Sequence, residues 1–376
     1  MVRAIGIDSG TMSMDILGFD DLDNRVFLDV AIPRDVITNN PEKPIEIIKS
    51  IGNVDSIAVS SGYGIPFKKA QETSEKEIEL ATFINSDDLQ RKLKIVGLRN
   101  LMKIFKLSDL PAYFIPGVIH LKSVPEFRKI NKIDLGTSDK LFSVAEALRN
   151  EKDYYKNDPK ESNIILIEIG YAYTAAISVL NGKIVDGIGG TSGFPGYKGM
   201  GAIDGELAYA MASAEPYFTK LRLFQGGISD YLGYDNIERL NDIHLRDEKS
   251  NRALKLFVES ILKDLSIMMV SNNNPERIYI SGRFTRYDSI YTYIKENIEN
   301  YLKGFSIKAE VVRLNGLGKI SKEAASGAAV LANGIANGIY RDIFETLNIK
   351  ESEGSIFDHI LPNDLRNKIM DYFAKQ

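Results

Sequence analysis

An aspartate two residues before a glycine, with hydroxyl side chains following, closes the first apolar run of the chain: Arg3-Ala-Ile-Gly-Ile-Asp8-Ser9-Gly10-Thr11-Met-Ser13. A degenerate copy begins near Asn163, as Ile164-Ile-Leu-Ile-Glu168-Ile-Gly170-Tyr171-Ala-Tyr-Thr174. Glycine at such a place lets backbone N–H groups reach an anion with no Cβ in the way. Thr11, Ser13 and Thr174 offer O–H donors to phosphate oxygens, and Asp8 or Glu168 suits Mg2+, held directly or through water. Either copy alone also reads as an ordinary hairpin with a glycine-containing turn. The recurrence of strand, acid, glycine, hydroxyl, strand and turn favours a nucleotide clamped between two related domains.

The elements that must position these residues follow from patterning. Short runs rich in Ile, Leu and Val predict strands at Ala4 to Ile7, Ile16 to Phe19, Val26 to Ile32 and Ser56 to Ser60, with a helix over Pro44 to Ile51. Asp23-Asn24 and Asn181-Gly182 are the return turns, the latter being the stronger hairpin signal. Lys68 to Arg99 is charged and interrupted and predicts a solvated helical insertion. Ala112 to Ile115 is a further strand. Ser138 is a reasonable N-cap for a helix that carries Leu141, Val144, Ala145 and Leu148 and crosses between the domains. Seven glycines between Gly187 and Gly201, Gly189 and Gly190 among them, predict a mobile loop lying close to a ligand. Asp247 to Val270 reads as one long helix, Arg277 to Ile280 as a strand, and the chain from about Tyr340 as helices packed back on the first domain.

Composition narrows the function classes. The chain has 376 residues, more than one core usually spans, so two domains are expected: 1–158, then 159–330, with 331–376 returning to the first. A net charge of −4 gives no electrostatic footprint for nucleic acid. Zero cysteines exclude disulfides, thiolate metal sites and a cysteine nucleophile, and agree with a cytoplasmic setting. Met1 leads into the first strand without the basic and apolar regions of a signal peptide. No apolar segment reaches the roughly 20 residues of a membrane span. The nearest, Ala324 to Ile339, predicts a tightly packed helix of a soluble protein.

The arrangement resembles the superfamily of acetate and sugar kinases, heat-shock chaperone ATPases and actin. Asp8-Ser-Gly-Thr-Met-Ser13 is similar to the Asn-Ser-Gly-Ser-Ser-Ser opening of acetate kinases and the Asn-Pro-Gly-Ser-Thr-Ser opening of butyrate kinases. Gly136-Thr137-Ser138-Asp139-Lys140 resembles their Gly-Thr-Ser-His-Lys segment, and length and style are similar to an uncharacterised archaeal family labelled predicted butyrate kinases. The resemblance implies an α/β chain of two ribonuclease-H-like (actin-like ATPase) domains, with mixed sheets, helices and a nucleotide cleft between them. It implies ATP and Mg2+ as cofactors. Ile278-Tyr-Ile-Ser-Gly282-Arg283 stands where such kinases carry a strand ending in Gly-Gly beside the adenosine. Arg283 in place of the second glycine suits stacking on adenine or an α-phosphate contact, against a plain turn. Gly201-Ala-Ile-Asp204-Gly-Glu206 is similar to a butyrate-kinase run, so Asp204 and Glu206 either place Mg2+ and orient a nucleophile or cap the helix that follows. Glu323 resembles the magnesium-associated glutamate of acetate kinases.

The acceptor half departs from the family. Gly62, Tyr63 and Gly64 stand where acetate kinases carry a carboxylate-holding arginine, Pro116 replaces the aspartate four residues before His120, and Leu135 and Asp139 replace two histidines. A lone histidine such as His120 is commonly structural. The leading expectation is an ATP-dependent kinase of a small carboxylate, butyrate-kinase-like and compatible with a homodimer. A nucleotide-dependent switch or scaffold ATPase of actin or chaperone type, and a sugar or polyol kinase, are the alternatives.

Overall fold

The computed structural model describes residues 1–90, 96–215 and 219–375. These residues form two compact units. The first comprises residues 1–162, 181–185 and 315–376, and the second residues 163–180 and 186–314.

In the first unit, β1 (Arg3–Ser9), β2 (Ser13–Asp20) and β3 (Arg25–Pro33) run antiparallel in succession. β4 (Ser56–Ser60) joins β1 in parallel, so the chain between β3 and β4 crosses over through the helix Lys43–Ile51. β5 (Lys68–Lys69) lies antiparallel to β6 (Ala112–Ile115), which is parallel to β4, giving the sheet order β3-β2-β1-β4-β6-β5. β1, β2 and β4 are buried almost along their whole lengths because both sheet faces are covered.

One covering layer is a sandwich of two helices, Ser138–Asp153 and Glu323–Ile335. The helix Glu323–Ile335 is rich in Ala and Gly, and small residues set its spacing: a Cβ on Gly6 of β1 would overlap the backbone of Ala325 and Ala329, and one on Gly327 would overlap the backbone of Phe142. The helix Ser138–Asp153 lies wholly in the first unit rather than crossing to the second. Its N-cap is Thr137, not Ser138, whose hydroxyl instead accepts the Ser61 N–H at 2.9 Å. The helix Glu323–Ile335 also belongs to the first unit, which therefore resumes at residue 315 and not at 331.

The segment expected to be a solvated insertion is partly core. Ser74 and Glu77 form a capping box for the helix Glu75–Thr82, which buries Ile78, Leu80 and Ala81. Residues 91–95 of that segment lie outside the described residues.

In the second unit, β7 (Ile164–Ile169) and β8 (Thr174–Leu180) form an antiparallel hairpin. β9 (Lys183–Ile188) follows the Asn181-Gly182 turn, where both residues have positive φ, as a type I′ hairpin requires; residues 181–185, the turn and the start of β9, are counted with the first unit. β10 (Arg277–Ser281) is parallel to β7, and β11 (Glu310–Arg313) parallel to β10. The sheet order β9-β8-β7-β10-β11 repeats β3-β2-β1-β4-β6 of the first unit, strand for strand. The long helix Glu248–Met268, capped by Asp247, and the helix Asp288–Gly304 contribute Phe257, Ile261, Leu265, Ile290 and Ile294 to its core. Among the described residues no helix is long and apolar enough to cross a membrane.

Candidate functional site

At the end of β1 the antiparallel register sets Asp8 directly opposite Asp15, and both side chains are buried on the same face. Two like charges so placed need a cation. Lys322, the residue that precedes the helix Glu323–Ile335, supplies it: its Nζ lies 2.6 Å from Asp8 Oδ2 and 3.3 Å from Asp15 Oδ2. The turn closes over this ammonium, and a Cβ on Gly10 would stand 2.5 Å from Lys322 Nζ. Gly10 thus makes room for a lysine head group, so the hairpin turn is both glycine-lined and cationic. Ser13 donates its hydroxyl to Asp15 at 3.1 Å. Thr11 is exposed at the turn.

A second charged pair borders the first. Lys140 Nζ donates to Asp139 Oδ2 at 2.6 Å, and Thr137 donates its hydroxyl to the other oxygen. Burial pushes the Asp8 carboxyl up to about 6, the Lys322 ammonium opposes the rise, and the charges of Asp139 and Asp15 add to it. Burial also acts on Asp139, but Lys140, Thr137 and Lys322 together hold its carboxyl below the usual range. Asp139 stays ionised where Asp8 resists ionisation.

Arg34 completes the group. Its backbone N–H donates to Met12 O at 2.9 Å, its Nη1 donates to Ser9 Oγ at 2.8 Å, and the side chain is buried. Its guanidinium lies against Gly97, where a Cβ would stand 3.1 Å from Nη2, and the neighbouring Leu98 lies against Gly62. Ser9 N–H in turn donates to Ser60 Oγ at 3.2 Å. Three loops therefore interlock beside Asp8: the β1–β2 turn, Ser60–Gly64, and Gly136–Ser138, whose Ser138 N–H donates to Gly62 O at 2.9 Å.

Tyr63 turns its ring onto Phe83, 4.8 Å between centroids. Gly64 lies against Gly117 and His120. His120 is buried, with Nδ1 3.4 Å from Gly117 O, and burial pushes its imidazole down to about 4, so it is neutral at ordinary pH.

In the second unit, parallel pairing sets Ser281 beside Glu168, which brings three expected residues together. A Cβ on Gly282 would stand 2.9 Å from Glu168 Oε1, and one on Gly170 would stand 3.1 Å from both carboxylate oxygens. Gly282 has φ +94, a conformation only glycine takes readily, and Arg283 follows it. Tyr171 donates its hydroxyl to Asp235, which also pairs with Lys198 at 3.0 Å.

Two expected site residues, Thr174 and Asp204, are engaged elsewhere. Thr174 is fully buried and donates its hydroxyl to Asp264 Oδ2 at 2.7 Å. Asp204 caps the helix Gly205–Ala214, accepting from the Glu206 and Leu207 N–H groups at 3.0 and 3.3 Å, and Glu206 is exposed in its first turn. Helix capping is the observed role of Asp204. Glu323 is in the first turn of its helix, next to Lys322.

The glycine-dense segment is fastened rather than loose. A Cβ on Gly190, Gly196 or Gly199 would overlap Tyr173, so those three glycines form a collar around one aromatic residue, and Tyr173 donates its hydroxyl to Leu223 O at 2.5 Å. Gly189 and Gly190 are buried in this segment.

A magnesium ion bound by protein groups alone does not fit this arrangement. Lys322 already neutralises Asp8 and Asp15, and among the described residues no group of three or more His, Cys, Asp or Glu is disposed to hold a metal.

A family model described as "Protein of unknown function (DUF1464)" matches residues 6–361. None of the curated proteins matches the sequence. Solved structures do. A propionate kinase from Francisella tularensis superposes with TM-score 0.57 at 13% identity, covering 88% of this chain and 98% of its own. An acetate kinase from Porphyromonas gingivalis gives 0.59 at 13%, covering 87% and 98%. A ROK-family glucokinase from Streptomyces griseus, solved with glucose and AMPPNP, gives 0.50 at 14%, covering 88% and 99%. The two mixed sheets of matching order are thus those of the two-domain, actin-like ATPase fold.

Proposed function

We propose that this chain, which belongs to the family described as Protein of unknown function (DUF1464), is an ATP-dependent phosphotransferase acting on a small-molecule acceptor. The observation that carries the reading is the cationic glycine turn of the first unit, where Gly10 leaves space for Lys322 over the Asp8–Asp15 pair. Phosphoryl transfer asks a protein chiefly for positioning and charge neutralisation. Lys322 and the turn backbone suit the transferring phosphoryl group. The second unit, with Glu168, Gly170 and the Gly282-Arg283 turn side by side, suits the nucleotide. ATP brings Mg2+ on its own phosphates, with Glu168 as the carboxylate best placed to meet it through water.

For the acceptor we favour a short-chain carboxylate such as butyrate. Arg34 and Lys140 put a guanidinium and an ammonium beside the hairpin, and an arginine fork matches a carboxylate geometrically. This arginine comes from the segment after β3 and stands in for the one that the Ser60–Pro66 loop lacks. A hydroxyl acceptor is the second reading, favoured by Asp8, whose raised carboxyl suits a general base.

Hydroxylamine trapping separates the readings. With Mg·ATP and acetate, propionate or butyrate, we expect an acyl hydroxamate to accumulate with ADP, and Arg34→Ala to raise KM for the acid at least tenfold, the factor of one charge-assisted contact. ADP formed only with sugars or polyols would replace the carboxylate by the hydroxyl acceptor. ADP formed at the same rate with no acceptor would sink both in favour of a switch ATPase.

A further inference from the structure

The helix Glu248–Met268 carries one acid inside its apolar stripe. Asp264 falls among Ile261, Leu265 and Met268, and is fully buried. Among the described residues no lysine, arginine or histidine pairs with it; the adjacent Lys263 is taken by Glu259 at 2.7 Å. Both oxygens nevertheless have work. Oδ2 accepts the Thr174 hydroxyl at 2.7 Å, and Oδ1 accepts the Phe194 backbone N–H at 3.3 Å. A Cβ on Gly193 would stand 2.8 Å from that same Oδ1, so the glycine there allows the carboxylate its approach.

Two donors facing one side chain require two acceptors, which a carboxylate has and a carboxamide does not without turning one donor away. The chain tolerates a cost for this. Burial pushes the Asp264 carboxyl up to about 6, so near neutral pH an ionised, uncompensated group is kept in an apolar layer.

We propose that Asp264 is a positioning residue that ties the glycine loop Gly189–Gly201 to strand β8, so that the loop is preformed for nucleotide. The proposal rests on the phosphotransferase reading only in its last clause. The loop is pinned at two points, at Tyr173 by the glycine collar and at Phe194 by Asp264, and Lys263 Nζ, 5.3 Å over the Phe194 ring, holds the second point from the other side. Thr174 is then the hairpin's anchor for the loop, and not a phosphate ligand.

The test is hydrogen exchange of the full chain at pH 8, with Mg·ADP affinity read in parallel, for Asp264→Leu, Asp264→Asn and Thr174→Val. In Asp264→Leu we expect amides of residues 189–201 to exchange at least tenfold faster, with β7 and β10 unchanged, and Mg·ADP to bind roughly tenfold more weakly, the factor one charge-assisted hydrogen bond carries. Asp264→Asn should loosen the loop less and melt no lower than the parent, since the buried charge is gone. Thr174→Val leaves the carboxylate in place and covers the case in which the leucine variant does not fold; it too should speed loop exchange. Loop exchange unchanged in Thr174→Val and in a folded Asp264→Leu overturns the positioning role. A loosened loop with unchanged Mg·ADP affinity upholds the tether and overturns only the nucleotide clause.

Discussion

Lys322 is the residue on which the first unit's charge balance turns, because it stands between two carboxylates that β-pairing forces together. Replacing it by methionine keeps most of the volume and removes the ammonium. Breaking such a buried pair leaves an uncompensated charge, so Lys322→Met should lose about 3 kcal/mol in urea denaturation at pH 8. Acidifying to pH 5 should return much of that loss, since Asp8 takes up a proton near 6. A variant as stable as the parent at pH 8 would mean that the aspartates are neutralised by something other than Lys322. The lysine's role is not legible in the sequence. Asp8 and Gly10 are, because acid, glycine and hydroxyl lie within a few positions, but Lys322 is 314 residues from Asp8 and preceded by no pattern that marks it. Arg34 likewise reads as an ordinary charge after a strand, whereas Asp264, an acid inside an apolar stripe, is an anomaly that helical spacing alone exposes.

At the scale of elements, alternation and turn chemistry point to the strands well: β4 and the Asn181-Gly182 turn stand where patterning puts them. The insertion after Lys68 reads as solvated because its charge content hides a three-residue apolar set, Ile78, Leu80 and Ala81, behind the Ser74/Glu77 capping box. The glycine loop is irregular, as its composition implies, yet its glycines answer first to Tyr173 and Asp264, contacts that no linear pattern reveals. Glycine is also where elements are most easily broken. A Cβ on Gly327 would strike the backbone of Phe142, whereas one on Gly205, at the start of an exposed helix, would meet nothing within 4 Å. Gly327→Ala should therefore cost about 2–3 kcal/mol by forcing two helices apart. Gly205→Ala should be neutral or gain a few tenths of a kcal/mol from helix propensity. Thermal melts of the two variants decide it, and equal melting temperatures would refute the close packing at Gly327.

Across the whole molecule, acid acts in opposing directions. His120 is neutral when folded until about pH 4 but takes a proton near 6.5 when unfolded, so its contribution to stability is present above 6.5 and is lost as pH falls through that window. Asp8 and Asp264 act in the reverse sense: their raised carboxyls favour the folded state below the unfolded value of 3.8 and lose that contribution as pH rises through about 6. His120→Gln should remove the first effect alone, so parent and variant curves measured by denaturation should diverge between pH 7 and pH 4, by on the order of 3 kcal/mol at the acid end. Parallel curves would show that the histidine is not buried neutral. The chain path has a further consequence, for the order in which a ribosome releases the parts. The second unit is nearly one continuous stretch, whereas the first needs residues 315–376 to cover strands made long before them. Until Glu323–Ile335 emerges, the face of β1 at Gly6 lacks its cover and Asp8 lacks its lysine. The whole of the second unit is therefore made before the cationic turn exists, and a nascent chain that stops short of Lys322 carries no working copy of it.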